Sequence, residues 1–202
     1  MMTSAESGAG REAEAAIIRA AQRGDRRAFD RLVDVHYRAV YNNAYRMLGS
    51  PTAAADATQS TFLRVYEALA SFRGEASFST WLYRIGMNVC LDELRRRRNE
   101  PASLTEEAES GEPAGERDMP DEAAEPARAA EQRELQRLVH EAIGRLAEDF
   151  RVIIVLYDIR GLSYQEIAEV LDIPLGTVKS RLNRARHALR EEMAGHLELF
   201  GV

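Results

Sequence analysis

This 202-residue chain has one cysteine, one lysine among 27 basic residues, one tryptophan and no long hydrophobic run. The longest uninterrupted apolar stretch, Val152 to Tyr157, is far below the roughly 18 residues that cross a bilayer, so no membrane span is expected. Residues 1–16 are polar and rich in Ala and Glu, without the apolar core of a secretory leader, which makes the cytoplasm the expected compartment. Cys90 as the sole thiol cannot close an internal disulfide or hold zinc by itself, and its apolar helical setting reads as a buried core position. There is no Gly-rich phosphate loop, and His36, His140, His187 and His196 are too scattered for a metal cluster. The chain is therefore expected to carry no catalytic site, no metal and no cofactor.

What is present is an uneven distribution of charge. The net charge of -6 conceals +4 over residues 1–98 (15 basic, 11 acidic), -9 over 99–131 (2 and 11) and -1 over 132–202 (10 and 11). The acidic segment also contains Pro101, Pro113, Pro120 and Pro126 and almost no large apolar residue. Such a composition buries too little surface to fold alone, so residues 99–131 are expected to form a flexible acidic linker between two small domains, 25–98 and 132–202.

Both domains read as helical. Phe29, Leu32, Val33, His36, Val40, Tyr41, Ala44, Tyr45 and Leu48 recur at helical intervals, with Gly24-Asp25 as start signal and Gly49 and Pro51 as stop signals. A second helix is expected from about Thr52 to Ala70, with Ala55, Phe62, Val65, Tyr66 and Leu69 inward. Ser79 is the expected N-cap of a third helix that carries Trp81, Leu82, Ile85, Val89 and Leu94 and ends in Arg95 to Arg98. A shorter helix near Glu12 to Gln22 precedes them within the N-terminal segment 1–24. After the linker, Leu135, Leu138, Val139, Ala142, Ile143 and Leu146 show the same period. Val152 to Tyr157 is β-branched enough for a strand but has no partner, and Val152, Val155, Leu156 and Ile159 also fit a helix closed by Gly161. The expected fold is all-α throughout.

The sharpest motif lies near the C-terminus. Ser163-Tyr164-Gln165-Glu166 reads as a capping box that opens a short helix through Leu171. A turn at Asp172 to Gly176 follows, and Thr177 is the expected cap of a second helix with the apolar stripe Val178, Leu182, Ala185 and Leu189. Residues 163–190 thus form a helix-turn-helix whose free face carries Lys179, Ser180, Arg181, Asn183, Arg184, Arg186, His187 and Arg190. Cations for phosphates, mixed with short polar groups for base edges, suit duplex DNA in the major groove.

A second cluster comprises Phe72, Arg73, Phe78, Trp81, Tyr83, Arg84 and Asn88. Its spacing fits ordinary core packing, but aromatics interleaved with cations beside a loop also suit unpaired bases stacked on rings with the backbone along the charges. A duplex-binding repressor or activator is the alternative reading of the chain. It would need neither this cluster nor a long tether.

The two clusters together resemble bacterial sigma factors of the small extracytoplasmic-function type. Asp56-Ala57-Thr58-Gln59-Ser60-Thr61-Phe62-Leu63-Arg64-Val65-Tyr66 is similar to the helix with which that family docks on RNA polymerase. Phe72-Arg73-Gly74 and Phe78 to Asn88 resemble its minus-ten reader, and Gly161 to Ala168 with Gly176 to Arg181 its minus-thirty-five reader. The resemblance implies core RNA polymerase as partner, through its beta-prime clamp helices and beta flap, with Asp56, Gln59 and Phe62 as docking residues. It implies that Phe72, Arg73, Trp81, Arg84 and Asn88 hold the melted minus-ten strand. It further implies that Lys179, Ser180, Asn183 and Arg184 enter the major groove while Tyr164, Thr177, Arg181 and Arg186 meet phosphates, and that an anti-sigma protein restrains the chain. The linker, about 100 Å at full extension, is long enough for two readers about two duplex turns apart.

Overall fold

The computed structural model describes the backbone of residues 4–99 and 126–200 and the side chains of 12–99 and 134–194. Most of the linker, residues 100–125, lies outside the described residues. Eight α-helices follow in order: α1 (Ser4–Gln22), α2 (Arg26–Leu48), α3 (Pro51–Ala68), α4 (Phe78–Asn99), α5 (Pro126–Arg145), α6 (Glu148–Ile154), α7 (Tyr164–Leu171) and α8 (Leu175–Phe200). Among the described residues there is no strand, and no helix is long and apolar enough to cross a membrane. Helix α5 begins at Pro126, inside the stretch that composition assigns to the linker.

Local chemistry sets most helix ends. Asp25 accepts from the backbone N–H groups of Arg27 and Ala28 and starts α2, and Gly49 ends it in the left-handed conformation at φ 71°, which an L side chain disfavours. Ser50 caps α3 and Pro51 occupies its first turn, where a missing N–H costs nothing. A short 3₁₀ turn, Leu69–Ser71, then closes α3. At α4 the sequence reading is corrected. Ser77, not Ser79, receives the Thr80 N–H at 3.0 Å, and the Ser79 hydroxyl is instead in a 2.9 Å bond with that of Ser77.

The ambiguous Val152 to Tyr157 segment is helical. Helix α6 runs into a π-helical turn, Val155–Ile159, and Val152 through Leu156 are all buried. Burial on every side explains why the run has no amphipathic period. Ser163 and Glu166 form the reciprocal capping box of α7. Thr177 does not cap α8. The helix already begins at Leu175, and the Thr177 N–H donates to the Pro174 carbonyl at 2.8 Å inside its first turn.

Two apolar clusters hold the molecule. One joins Ile18 and Ala21 of α1 to Leu32, Val40, Phe62, Val65, Leu69, Phe78 and Leu82. The other runs from Ala44, Met47, Met87 and Cys90 straight into Ile143, Ile153, Leu156, Ile167, Val178 and Leu182. The N-terminal and C-terminal helices therefore share a core across a seam, which no local sequence feature announces.

Polar contacts fix that seam. Arg160, at the end of the π-turn, donates from Nε to Asn43 Oδ1 and from Nη2 to the Ala39 carbonyl of α2 at 3.0 Å. Arg151 donates to the Met47 carbonyl on one side and to the Gly144 and Leu146 carbonyls on the other. The His140 ring lies parallel to that of Tyr45, centroids 4.4 Å apart.

Candidate nucleic-acid interface

Helices α7 and α8 meet at Asp172, a non-glycine residue in the left-handed region (φ 52°) that ends α7 and turns the chain. Ile173 is partly buried in the corner, and Val178, Leu182 and Ala185 turn α8 inward. That rotation leaves Lys179, Ser180, Asn183 and Arg184 on the outer face, all exposed. No carboxylate pairs with Lys179 or Arg184 among the described residues.

The side chains expected at phosphates are held within the protein. Arg181, 21% exposed, makes a 3.2 Å ion pair with Asp149 at the start of α6. Arg186 pairs with Asp158 and lies over the Tyr157 ring, its carbon 4.9 Å from the centroid, and the Asp158 bonds push its guanidinium pKa up. Tyr164 stacks on Tyr157 at 5.1 Å. Thr177, half-buried, sits in the first turn of α8. All four border the exposed face, and the fold already engages the guanidinium groups of Arg181 and Arg186 and the ring of Tyr164.

The second cluster stands at the head of α4. Phe72 lies 5.0 Å from Trp81 and 5.6 Å from Phe78, and Phe78 and Trp81 are 5.8 Å apart, ring centroid to ring centroid. Phe78 is 3% exposed and belongs to the core, whereas Phe72 and Trp81 are half-buried, each with surface left over. Arg73, Arg84 and Asn88 are exposed around them. Core packing and an accessible ring surface thus coexist, with Phe78 as the footing and Phe72 and Trp81 as the platform. Tyr83 belongs to the other side of α4, where burial pushes its hydroxyl pKa up while nearby Arg160 pulls it down.

On α3 the expected docking residues divide. Asp56 and Gln59 are exposed one turn apart, but Phe62 is only 8% exposed, covered by the stacked ring of Tyr37 at 6.3 Å. Phe62 is a core residue. The buried stripe of α3 is Ala54, Thr58, Thr61 and Val65, so Tyr66, expected inward, lies 49% exposed and Leu63 61% exposed. Asp56, Gln59, Leu63 and Tyr66 share a face at helical spacing. That spacing was the available signal that Leu63 and Tyr66 lie on the exposed face with Asp56 and Gln59.

The two clusters are linked across the seam. Glu166 accepts from the Ser163 N–H and hydroxyl, both at 2.8 Å, and from the Thr80 hydroxyl of α4 at 3.1 Å. These bonds, the Ser163 backbone bond foremost, hold its carboxyl below the usual carboxylate range.

Comparison with known proteins gives a consistent picture. Residues 32–100 match the family model of Sigma-70 region 2, and residues 136–189 that of Sigma-70, region 4. The chain is 37% identical over 179 residues to the RNA polymerase sigma-H factor of Pseudomonas aeruginosa, covering 88% of this chain and 92% of that one. It is 36% identical over 176 residues to the ECF RNA polymerase sigma factor SigW of Bacillus subtilis, covering 87% and 94%. A solved structure of CnrH in complex with the cytosolic domain of CnrY is 30% identical, covers 89% of this chain and 96% of that one, and superposes with a TM-score of 0.61. With both family models in chain order and relatives matched over nearly their whole length, this chain belongs to the sigma-70 family, on its extracytoplasmic-function branch of RNA polymerase sigma factors.

Proposed function

We propose that this chain is a promoter-specificity subunit with no catalytic activity of its own, which acts in the cytoplasm by joining core RNA polymerase. Residues 25–98 dock on the enzyme through the α3 face of Asp56, Gln59, Leu63 and Tyr66. They capture the opened minus-ten strand on Phe72 and Trp81, with Arg73 and Arg84 along its backbone and Asn88 at a flipped base. Two or three stacking contacts, each about 1–3 kcal/mol, offset the few kcal/mol needed to extrude a base. Residues 132–202 read the minus-thirty-five duplex with Lys179, Ser180, Asn183 and Arg184. The observation that carries this reading is the presence in one chain of an exposed polar and cationic helix face and a separate half-open aromatic platform.

Readers about two duplex turns, or about 70 Å, apart cannot share one core, so the seam must part when the promoter is engaged. Docking on polymerase supplies the differential binding for that opening. A relative solved with a bound protein supports the second protein partner that the family resemblance leads one to expect. CnrH is bound by the cytosolic domain of CnrY.

The test is run-off transcription with purified core RNA polymerase on fragmented genomic DNA. Discrete start sites are expected, and failure to bind core together with footprinting of duplex by the chain alone would overturn the reading in favour of a repressor. Lys179→Ala separates base from phosphate contact. If Lys179 reads a base, discrimination among minus-thirty-five sequences falls by about 1–3 kcal/mol; a uniform loss across sequences assigns it to phosphate.

A further inference from the structure

Helix α1 has no part in the roles above, yet it reaches the strand-capturing loop from two directions. At its last residue, the Gln22 side-chain Nε2 donates to the Leu69 carbonyl at 3.1 Å and to the Phe72 carbonyl at 2.8 Å. Leu69 opens the 3₁₀ turn and Phe72 is the residue that leaves it, so one amide nitrogen fixes both ends of the turn that aims the Phe72 ring. Primary amides carry two N–H donors on one nitrogen, which is the valence two carbonyls require.

One helical stretch earlier, Glu14 Oε1 receives His36 Nε2 at 3.1 Å, and the His36 ring lies 5.3 Å from Phe78, the footing of the platform. Gln22 itself is placed by the tight corner into α2. Gly24 at φ 91° reverses the chain, and the Asp25 N–H donates back to the Ala20 carbonyl at 3.2 Å, which fixes the end of α1 where Gln22 stands.

We infer that Gln22 is a positioning residue for minus-ten strand capture, with α1 acting as the brace that holds Phe72 against Trp81 before a base arrives. A platform held in advance loses less conformational freedom when a base stacks on it, so affinity for the unpaired strand rises without any contact from α1 to DNA. The inference rests on the proposed role of Phe72 and Trp81.

The test uses the full chain reconstituted with core polymerase and a labelled single-stranded oligonucleotide of the non-template minus-ten sequence from a promoter found by run-off transcription. Gln22→Glu keeps the shape, removes the donors and sets a carboxylate against two carbonyls. It is expected to weaken oligonucleotide binding about tenfold and slow promoter opening, with affinity for core polymerase and for minus-thirty-five duplex unchanged. Gln22→Lys restores N–H donors on a flexible side chain one bond longer and should recover part of the loss. Ile18→Ala lowers the melting temperature without touching the loop carbonyls, and should leave oligonucleotide affinity within twofold, a result a merely stabilising α1 would not give.

Phe72→Ala separates the two levels of the claim. If Phe72→Ala weakens the oligonucleotide and Gln22→Glu does not, or if Ile18→Ala weakens it as much as Gln22→Glu, the positioning role is wrong while strand capture stands. If Phe72→Ala leaves binding intact, strand capture by this cluster is wrong and the brace falls with it.

Discussion

The seam makes a quantitative claim that mutagenesis can check. Arg160 donates to Asn43 Oδ1 and to the Ala39 carbonyl, so Arg160→Ala takes a donor from Asn43, which is 4% exposed, and another from the carbonyl of half-buried Ala39. Each buried acceptor that loses its donor costs about 1–3 kcal/mol, and the half-exposure of Arg160 places the sum at the lower end, about 2–4 kcal/mol of unfolding free energy. Some of that loss would follow from any damage near Arg160, so the decisive measurement is a double-mutant cycle with Asn43→Ala in urea. The bond joining two residues 117 apart in sequence should appear as a coupling of about 1–2 kcal/mol. Arg160→Lys, lacking the planar fork, should recover only part of it. Additivity of the two single changes within about 0.5 kcal/mol would refute the seam in the free chain, because two halves that move apart have nothing to couple.

Other expectations follow from single groups. Burial pushes the Cys90 thiol up to about 12, so iodoacetamide at pH 8 should leave the native chain unmodified and label it fully in urea. Rapid native labelling would show that the seam around Cys90 is open. His140 has its pKa lowered by burial, with Arg46 of α2 and Arg151 of α6 adding to the effect and Glu141 of α5 opposing it. The unfolded chain therefore takes up this proton first, and stability is expected to fall as pH drops below the ordinary histidine value near 6.5, ahead of any carboxylate loss. His140→Phe keeps the stack on Tyr45 and should flatten that part of a pH–melting curve. At Gly86 in α4, an added Cβ would sit 3.4 Å from Thr61 Cγ2, an ordinary contact. Gly86→Ala should thus gain about 0.5–1 kcal/mol from helix propensity alone, and a loss in urea unfolding would mean a tighter α3–α4 crossing than the geometry gives.

How much of this was legible in the sequence depended on whether the determining contact was local. Asp25, Gly49 and the Ser163–Glu166 box mark helix ends within four residues, and each was readable as written. Where hydroxyls crowd together, as at Ser77, Ser79 and Thr80, several caps compete and only geometry selects one. Phe62, Val65 and Leu69 are inward as their spacing indicated, but Tyr66, next to Val65, lies 49% exposed, because a helix turns 100° per residue and adjacent apolar residues cannot both face the core squarely. The Arg160–Asn43 and Thr80–Glu166 bonds, 117 and 86 residues apart, had no local sign at all.

The same distinction governs the outer face of α8, where the sequence places five Lys and Arg residues and the fold divides the four nearest its start. Lys179 and Arg184 remain without acidic partners among the described residues, whereas Arg181 and Arg186 answer to Asp149 of α6 and Asp158 of the π-turn that follows it. A cation already matched by a carboxylate gains little by exchanging it for a phosphate, since one anion replaces another and the carboxylate must then be rehydrated. An unmatched cation releases condensed counterions from DNA and keeps the whole gain. On the proposed role of α8, the DNA-binding strength of the helix-turn-helix is expected to rest on those cations that the rest of the chain leaves unpaired, a property of the folded arrangement that a count of basic residues on one helix overstates.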